Sequence, residues 1–102
     1  MAEKLGIFVS SNKNLRHVIG ITKAAEAAGK EVILFFTHKG VLLTQKSEFK
    51  ELIGHGRKSV CNAAYEDNGL KGLPAPGIAD KDFATQFRHC EMIDEIDRYI
   101  VM

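Results

Sequence analysis

Two short runs of consecutive apolar residues constrain the fold of this chain more than any other feature. KLGIFVS (residues 4–10) and EVILFF (31–36) each have the length and the composition of a buried β-strand. Between them, apolar residues recur at helical spacing over 15–28, with Asn14 as the predicted N-cap and Gly29 just past the predicted end. The order strand, helix, strand predicts a parallel βαβ unit.

The middle of the chain continues this alternation in shorter elements. Residues 37–40 are predicted to form a loop, and Ser47 is predicted to cap a short helix over 47–53 that ends at Gly54 and Gly56. The residues of that helix predicted to face inward are Phe49, Leu52 and Ile53. A third strand is predicted at 58–61, followed by one or two helical turns over 62–68 that end at Gly69.

The last third begins with a loop that contains two prolines, LKGLPAPG (70–77). A fourth strand of a few residues is predicted near 77–79, and a closing strand at 98–102. Between them a helix is predicted over 81–95, with Asp80 as its cap. The apolar stripe of that helix consists of Phe83, Phe87, Cys90 and Ile93. The whole pattern predicts a parallel sheet of four to five strands with helices on both faces.

The length of 102 residues fits one domain, residues 1–102, with its own core. The formal net charge of +1 and the shortness of the basic clusters disfavour nucleic acid as a partner. No apolar run approaches the roughly 18 residues that cross a bilayer, and the start MAEKLGIFVSS lacks a secretory apolar segment. We therefore expect a soluble cytoplasmic protein with no membrane association, whose two cysteines are thiols.

Three strand ends are predicted to meet at one edge of the sheet, because parallel strands share their carboxyl ends there. The residues at this edge that can do chemistry are Ser10, Ser11, Asn12, His38, Cys61 and Asn62. Among them Cys61 is the predicted nucleophile. A helix N-terminus and cations favour the thiolate form of a cysteine, and the sequence offers His38, His55, Arg57 and Lys58 as such cations.

Cys61 is equally open to interpretation as a small buried apolar residue, a common role of cysteine. Cys90 lies on the predicted apolar stripe and is interpreted as a core residue. No pair among Cys61, Cys90, His38 and His55 has the spacing of a metal-ligand motif, so no metal site is predicted. The loop SSNKN has no glycine and does not form a nucleotide-binding motif, so no cofactor is predicted, although its side chains suit a small anion.

Four segments together resemble the DsrE/DsrF-like family of small sulfur-relay proteins, which includes TusD-type subunits. They are KLGIFVSS, AAGKEVILFFTHKGVLL, VCNAAYEDNGL and DRYIVM. The resemblance implies a three-layer α/β/α fold with strand order 4-3-2-1-5, assembled as trimers or hexamers. It also implies that Cys61 carries sulfane sulfur as a persulfide, received from a donor such as a rhodanese and passed to a TusA-like acceptor.

The segment PAPGIADKD and the residues NAAYED after the cysteine depart from the family pattern. Two other functions therefore stay open beside that of a sulfurtransferase-like carrier. One is a non-catalytic assembly or regulatory subunit, in which Cys61 is buried and slow to react. The other is a small-molecule binder that uses the loops SSNKN and THKG.

Overall fold

A computed structural model describes residues 3–79, 82–84 and 93–102 of the chain. The strands are β1 (Lys4–Val9), β2 (Glu31–Phe36), β3 (Arg57–Cys61), β4 (Phe83–Ala84) and β5 (Arg98–Val101). The α-helices are α1 (Leu15–Ala27) and α2 (Asn62–Asp67). Two 3₁₀ helices, the first over His38–Gln45 and the second over Ser47–Leu52, lie between β2 and β3. In the part of the chain that the structure describes, no helix is long and apolar enough to cross a membrane.

The strands form one sheet in the order β4-β3-β2-β1-β5, and every neighbouring pair is parallel. The α/β fold and the parallel sheet predicted from the apolar runs are therefore confirmed, and the strand order is the expected one. β4 contributes only two residues, so four longer strands make up most of the sheet. The carboxyl ends of β1, β2 and β3 lie along one edge, with β2 between the other two.

The two central strands form the core because their side chains are buried in consecutive positions. All five residues of β2 from Val32 to Phe36 are buried, as are the last four of β1. A strand covered on both faces needs apolar residues at every position, which accounts for the unbroken runs in the sequence. α1 buries the predicted stripe: Leu15, Val18, Ile19, Thr22 and Ala25.

The two ends of α1 differ in how closely they follow the prediction. Asn14 occupies the N-cap position, but its side chain makes no capping hydrogen bond. Gly29 follows the C-cap with a φ of 82°, a conformation that glycine adopts without strain. Its N–H donates to the oxygen of Glu26, and that of Lys30 donates to the oxygen of Ala25. This pair of bonds is the Schellman arrangement, so the predicted stop at Gly29 is confirmed.

The segment between β2 and β3 is more regular than predicted. Residues 38–40, predicted as loop, begin the first 3₁₀ helix. There Gly40 passes so close to β1 that an added Cβ would collide with the carbonyl group of Val9. The prediction that Ile53 faces inward was wrong, since its side chain is 50% exposed. A 3₁₀ helix repeats every three residues, so Phe49 and Leu52 share the buried face and Ile53 follows the helix end.

The predicted position of the fourth strand was also wrong. Gly77 has a φ of 77° and cannot continue an extended strand, and pairing with β3 begins only at Phe83. Phe83 therefore belongs to β4 and not to a helix starting at 81. Residues 93–95 are helical, but Ile93 is 45% exposed instead of buried. Asp80, Phe87 and Cys90 lie outside the described residues.

Candidate functional site

Cys61 ends β3 and directly precedes α2. Its backbone is extended, with φ −68° and ψ 115°, and the next residue begins the helix. In the sheet it lies beside Ala84 of β4, and its side chain is only 2% exposed. The predicted location at the carboxyl end of a parallel strand is confirmed. The thiol is nevertheless enclosed, because β3 is buried from Lys58 onward.

Three of the four cations predicted near Cys61 have other partners. His55 donates from Nδ1 to Glu26 over 2.7 Å, and Arg57 pairs with Glu95 over 3.0 Å. The Nζ of Lys58 donates to the backbone oxygens of Leu52 and His55 at 2.7 and 2.8 Å. His55 and Lys58 therefore stabilise the turn before β3, at the opposite end of the strand from the thiol, and Arg57 joins the start of β3 to Glu95.

The pKa values of this turn follow from the same contacts. The hydrogen bond from His55 and a second from the Gly56 N–H lower the pKa of Glu26. Burial lowers the pKa of Lys58, because desolvation disfavours the ammonium form, while nearby Glu26 and Asp82 favour it. The turn is thus a local cluster of opposite charges that sequence analysis missed, since Glu26 is about 30 residues away in the chain.

His38 has an unusual backbone and lies in a separate cleft. It adopts a φ of 49°, the left-handed region that is uncommon for residues other than glycine. Its backbone oxygen accepts a hydrogen bond of 3.0 Å from the amide of Asn68, just after α2. The cleft that His38 and Asn68 line also includes Lys39 and Asp67 and has a volume of about 320 Å³. His38 therefore faces the C-terminal half of α2, whereas Cys61 precedes its first residue.

The loop after β1 is attached to β5 and not to β3. The N–H groups of Ser10 and Ser11 both donate to the backbone oxygen of Met102, at 2.8 and 3.2 Å. The hydroxyl of Ser10 points to the same oxygen at 3.3 Å. The backbone oxygen of Asn12 accepts a hydrogen bond of 3.4 Å from Lys46. The structure thus uses both N–H groups and the hydroxyl of Ser10 within the fold, while the hydroxyl oxygen of Ser11 accepts a hydrogen bond of 3.2 Å from the N–H of Lys13.

Asn62, in contrast, opens into the cavity closest along the chain to Cys61. The cavity has a volume of about 480 Å³ and lies between α2, the turn at 71–74 and β4. Its lining residues are Asn62, Tyr65, Glu66, Lys71, Gly72, Leu73, Pro74 and Phe83. Phe83 lies beside Val60 in the sheet, so the cavity flanks the junction of β3 and α2.

Tyr65 holds the wall of this cavity in place. Its hydroxyl donates to the backbone oxygen of Leu73 at 2.7 Å and accepts from the amide of Gln45 at 3.1 Å. Gln45 also donates to the backbone oxygen of Pro74 at 3.2 Å. The ring of Tyr65 meets that of Phe83 edge to face, with centroids 4.9 Å apart. Burial raises the pKa of Tyr65, which keeps the hydroxyl protonated and able to donate.

Tyr65 and Gln45 were not predicted as site residues, because in the sequence each resembles an ordinary helical residue. The available signal was the spacing: Tyr65 is four residues after Cys61, and the loop with two prolines follows soon after. The six predicted site residues do not form one pocket. Asn62 lines the cavity between α2 and β4, His38 lines the cleft at the other end of α2, and the serines bind Met102 at the end of β5.

No cluster of three or more histidine, cysteine or acidic side chains that could hold a metal ion occurs within residues 3–79, 82–84 and 93–102. The junction therefore offers a buried thiol, Cys61, and a cavity with polar and apolar walls that the next residue, Asn62, lines. Comparison of the chain with protein-family models, curated proteins and solved structures found no match.

Proposed function

We propose that the protein is a sulfur-relay protein that carries sulfane sulfur on Cys61. The observation that supports this most is the location of the thiol at the end of a parallel strand, immediately before a helix whose first residue, Asn62, lines a cavity. Ligands of parallel α/β sheets bind at this edge, where chain ends and helix starts meet. A buried thiol of purely structural use needs no such location.

The proposed reaction is an exchange of one sulfur atom between thiols. The thiolate of Cys61 attacks the outer sulfur of a donor persulfide, R–S–SH, and the S–S bond of the donor breaks. The donor leaves as R–S⁻, and the product is Cys61–S–SH. The thiolate of an acceptor then attacks this outer sulfur and releases the Cys61 thiolate. No external oxidant, reductant or metal is needed, because each S–S bond that breaks is replaced by another.

The burial of Cys61 sets one requirement for this function. A side chain that is 2% exposed must be uncovered before a donor sulfur can reach it. The turn at 71–74 is exposed to solvent and attached to α2 through Tyr65, and such segments open locally at lower cost than the core does. The turn lies on the sheet face of Val60 and Phe83, whereas Cys61 points to the opposite face, so we propose that local opening of the end of β3 uncovers the thiol.

The wider proposal follows the family resemblance. The chain is proposed to be a cytoplasmic member of the DsrE/DsrF-like family with a three-layer α/β/α fold, assembled as a trimer or hexamer. Its donor is then a protein such as a rhodanese, and its acceptor a TusA-like thiol protein. The parallel sheet and its strand order support the fold part of this proposal.

Mass spectrometry on a variant with one thiol tests the function. The sequence contains two cysteines, so Cys90→Ser leaves Cys61 as the sole thiol. Treatment with polysulfide, or with rhodanese and thiosulfate, is expected to add about 32 Da, one sulfur atom, to Cys61. A dithiol reductant should remove the added mass. The matched control, Cys61→Ser with Cys90 retained, should stay unmodified; an equal adduct on this control, or none on Cys61, contradicts the proposal.

A non-catalytic assembly or regulatory subunit is the second candidate function, and the near-complete burial of Cys61 favours it. Under this function Cys61 packs in the core and accepts no sulfur from either donor. Cys61→Ala would then weaken folding, since the core would lose the sulfur atom, but would leave the binding of partner subunits unchanged in the folded fraction. Sulfur on Cys61 in the preceding experiment would exclude a purely structural role.

A further inference from the structure

The strand β5 forms one edge of the sheet and exposes apolar side chains there. Among the described residues it pairs with β1 alone, so its outer side meets no other strand. Tyr99 and Val101 are 61% and 63% exposed. Sheets usually protect an edge with charges, with proline or by keeping the edge strand very short. The opposite edge, β4, has only two residues, whereas β5 has four, of which only Arg98 is charged. β5 is therefore open to a further strand.

The backbone groups of Tyr99 and Val101 point away from the sheet. The N–H of Met102 donates to the oxygen of Phe8 at 2.9 Å, and its own oxygen accepts from the N–H of Ser10 at 2.8 Å. Both backbone groups of Met102 thus face β1. Successive residues of a strand direct these groups to opposite sides, so those of Tyr99 and Val101, three and one residues earlier, lie on the open side.

These groups match a second copy of the same strand running antiparallel. When Ile100 lies on the two-fold axis, Tyr99 of each copy lies opposite Val101 of the other. The two residues of such a pair exchange both backbone hydrogen bonds, which is what their outward direction allows. Their side chains form an aromatic–β-branched pair, a stabilising combination across strands, on one face of the sheet. On the other face the two Ile100 side chains meet.

The charges of β5 are compatible with this register. Arg98 lies opposite Met102 and already pairs with Glu3 of its own chain, over 3.2 Å. Like charges therefore do not meet across the two strands, where they would be destabilising. An axis one residue earlier in the chain would instead set the carboxylate of Asp97 against the apolar Val101.

From these observations we infer that the protein pairs with a second copy of itself through β5, antiparallel and with Ile100 on the two-fold axis. The two five-stranded sheets then form one continuous sheet. About five residues of each copy take part, against the roughly 20–30 of a standard interface, so the pairing is weak and reversible. The inference does not rest on sulfur transfer, because β1 and β2 separate β5 from the strand of Cys61. In the proposed assembly this contact joins two trimers into a hexamer, since a trimer alone has no two-fold axis.

Sedimentation of the full chain from ~1 µM to ~1 mM tests the pairing. We expect a dissociation constant of about 100 µM or tighter, so the wild type at the highest concentration has twice the mass of a variant that cannot pair. Val101→Pro is such a variant, because it removes an outward N–H but no bond to β1. Val101→Thr keeps this N–H and should associate like the wild type.

A second pair of variants leaves the backbone unchanged. Val101→Lys puts an ammonium against the ring of Tyr99 and should also halve the mass. Ile53→Lys makes a similar change at a half-exposed residue outside the sheet and should not. Circular dichroism checks that each variant is folded. If Val101→Pro and Val101→Lys both sediment like the wild type, the inference is wrong.

Cross-linking tests the register in a Cys61→Ser, Cys90→Ser background. Residues directly opposite in a non-hydrogen-bonded pair have Cα atoms about 4.5 Å apart, within the range of a disulfide. Ile100→Cys should therefore cross-link two copies under mild oxidation. Tyr99→Cys should react at least about tenfold more slowly, because the two equivalent positions are diagonal and roughly 7–8 Å apart. Faster cross-linking of Tyr99→Cys, or none in either variant, contradicts the inferred pairing.

The outcomes separate this inference from the proposed function. A wild type that remains one chain, or three, at every concentration contradicts the pairing even where polysulfide modifies Cys61. If the variants and cross-links behave as expected but no donor modifies Cys61, the pairing through β5 stands and the relay function fails.

Discussion

The hydroxyl of Tyr65 donates a hydrogen bond of 2.7 Å to the backbone oxygen of Leu73. This contact joins α2, which starts next to Cys61, to the exposed turn that forms the other wall of the cavity. The same hydroxyl accepts a hydrogen bond from Gln45, which also donates to Pro74. The position of the turn therefore depends on one phenol oxygen and one amide.

Tyr65→Phe tests this dependence. The change removes the hydroxyl and leaves the oxygen of Leu73 and the amide of Gln45 each with one bond fewer. We expect the free energy of unfolding to fall by about 1–3 kcal/mol, because two hydrogen bonds of roughly 0.5–1.5 kcal/mol each are lost. Urea denaturation measures the loss. Tyr99→Phe is the matched control, because Tyr99 is 61% exposed and should show no change.

Replacing Gly40 and Gly20 by alanine should change the free energy of unfolding in opposite directions, because the two glycines have different surroundings. Gly40→Ala places a Cβ against the carbonyl group of Val9, so β1 and the first 3₁₀ helix must separate, and we expect a loss of about 3 kcal/mol or more. Gly20→Ala lies in α1, where an added Cβ meets no atom within 4 Å, and alanine should stabilise the helix by roughly 0.5–1 kcal/mol. Thermal and urea denaturation of both variants should show these opposite shifts.

The contact between Glu26 and His55 predicts a dependence of stability on pH. The pKa of Glu26 is lowered in the folded protein, so the folded state favours the carboxylate more than the unfolded state does. The resulting stability is present above the unfolded pKa of 4.5 and is lost as the pH falls through the lower folded value.

Glu26→Gln should therefore reduce the loss of stability between neutral pH and pH values below 4.5. Urea midpoints measured across this range report the change. Glu48→Gln serves as the control, because Glu48 is exposed and its carboxylate accepts a hydrogen bond from the hydroxyl of the adjacent Ser47, so the variant should keep the pH dependence of the wild type. If Glu26→Gln keeps the pH dependence of the wild type, the carboxylate of Glu26 does not contribute to the pH dependence of stability.

The burial of Cys61 predicts slow alkylation in the resting protein. In a Cys90→Ser background, iodoacetamide should modify Cys61 at least about tenfold more slowly than free cysteine, because the side chain must first be uncovered. Protein unfolded in urea should react at the rate of free cysteine.

The same measurement distinguishes local from global opening. If the end of β3 opens alone, the stabilising Gly20→Ala change leaves the alkylation rate unchanged, because α1 takes no part in the opening. A rate that falls with Gly20→Ala would show that Cys61 is exposed only when the whole domain unfolds.

The long elements were predictable because each has a pattern of its own. Residues 31–36 are apolar throughout and form β2 at the predicted bounds, and α1 ends where Gly29 allows a left-handed turn. β4 was misplaced because a strand of two residues has no pattern, and its position depends on pairing with Val60 and Cys61. The first 3₁₀ helix was missed because the close passage of Gly40 over Val9 is a tertiary contact.

In the candidate site, too, some features were predictable from the sequence and others depend on tertiary contacts. The sequence was enough to place Cys61 at the carboxyl end of a parallel strand, because strand and helix periodicity depends on residues within a few positions. The burial of its thiol and the partners of the polar groups depend on residues far along the chain. Ser10 and Ser11 are bound by Met102, and Glu26 pairs with His55. Such contacts form only when the sheet brings distant segments together, and they leave Asn62, Glu66 and Lys71 as polar groups that line the cavity between α2 and β4.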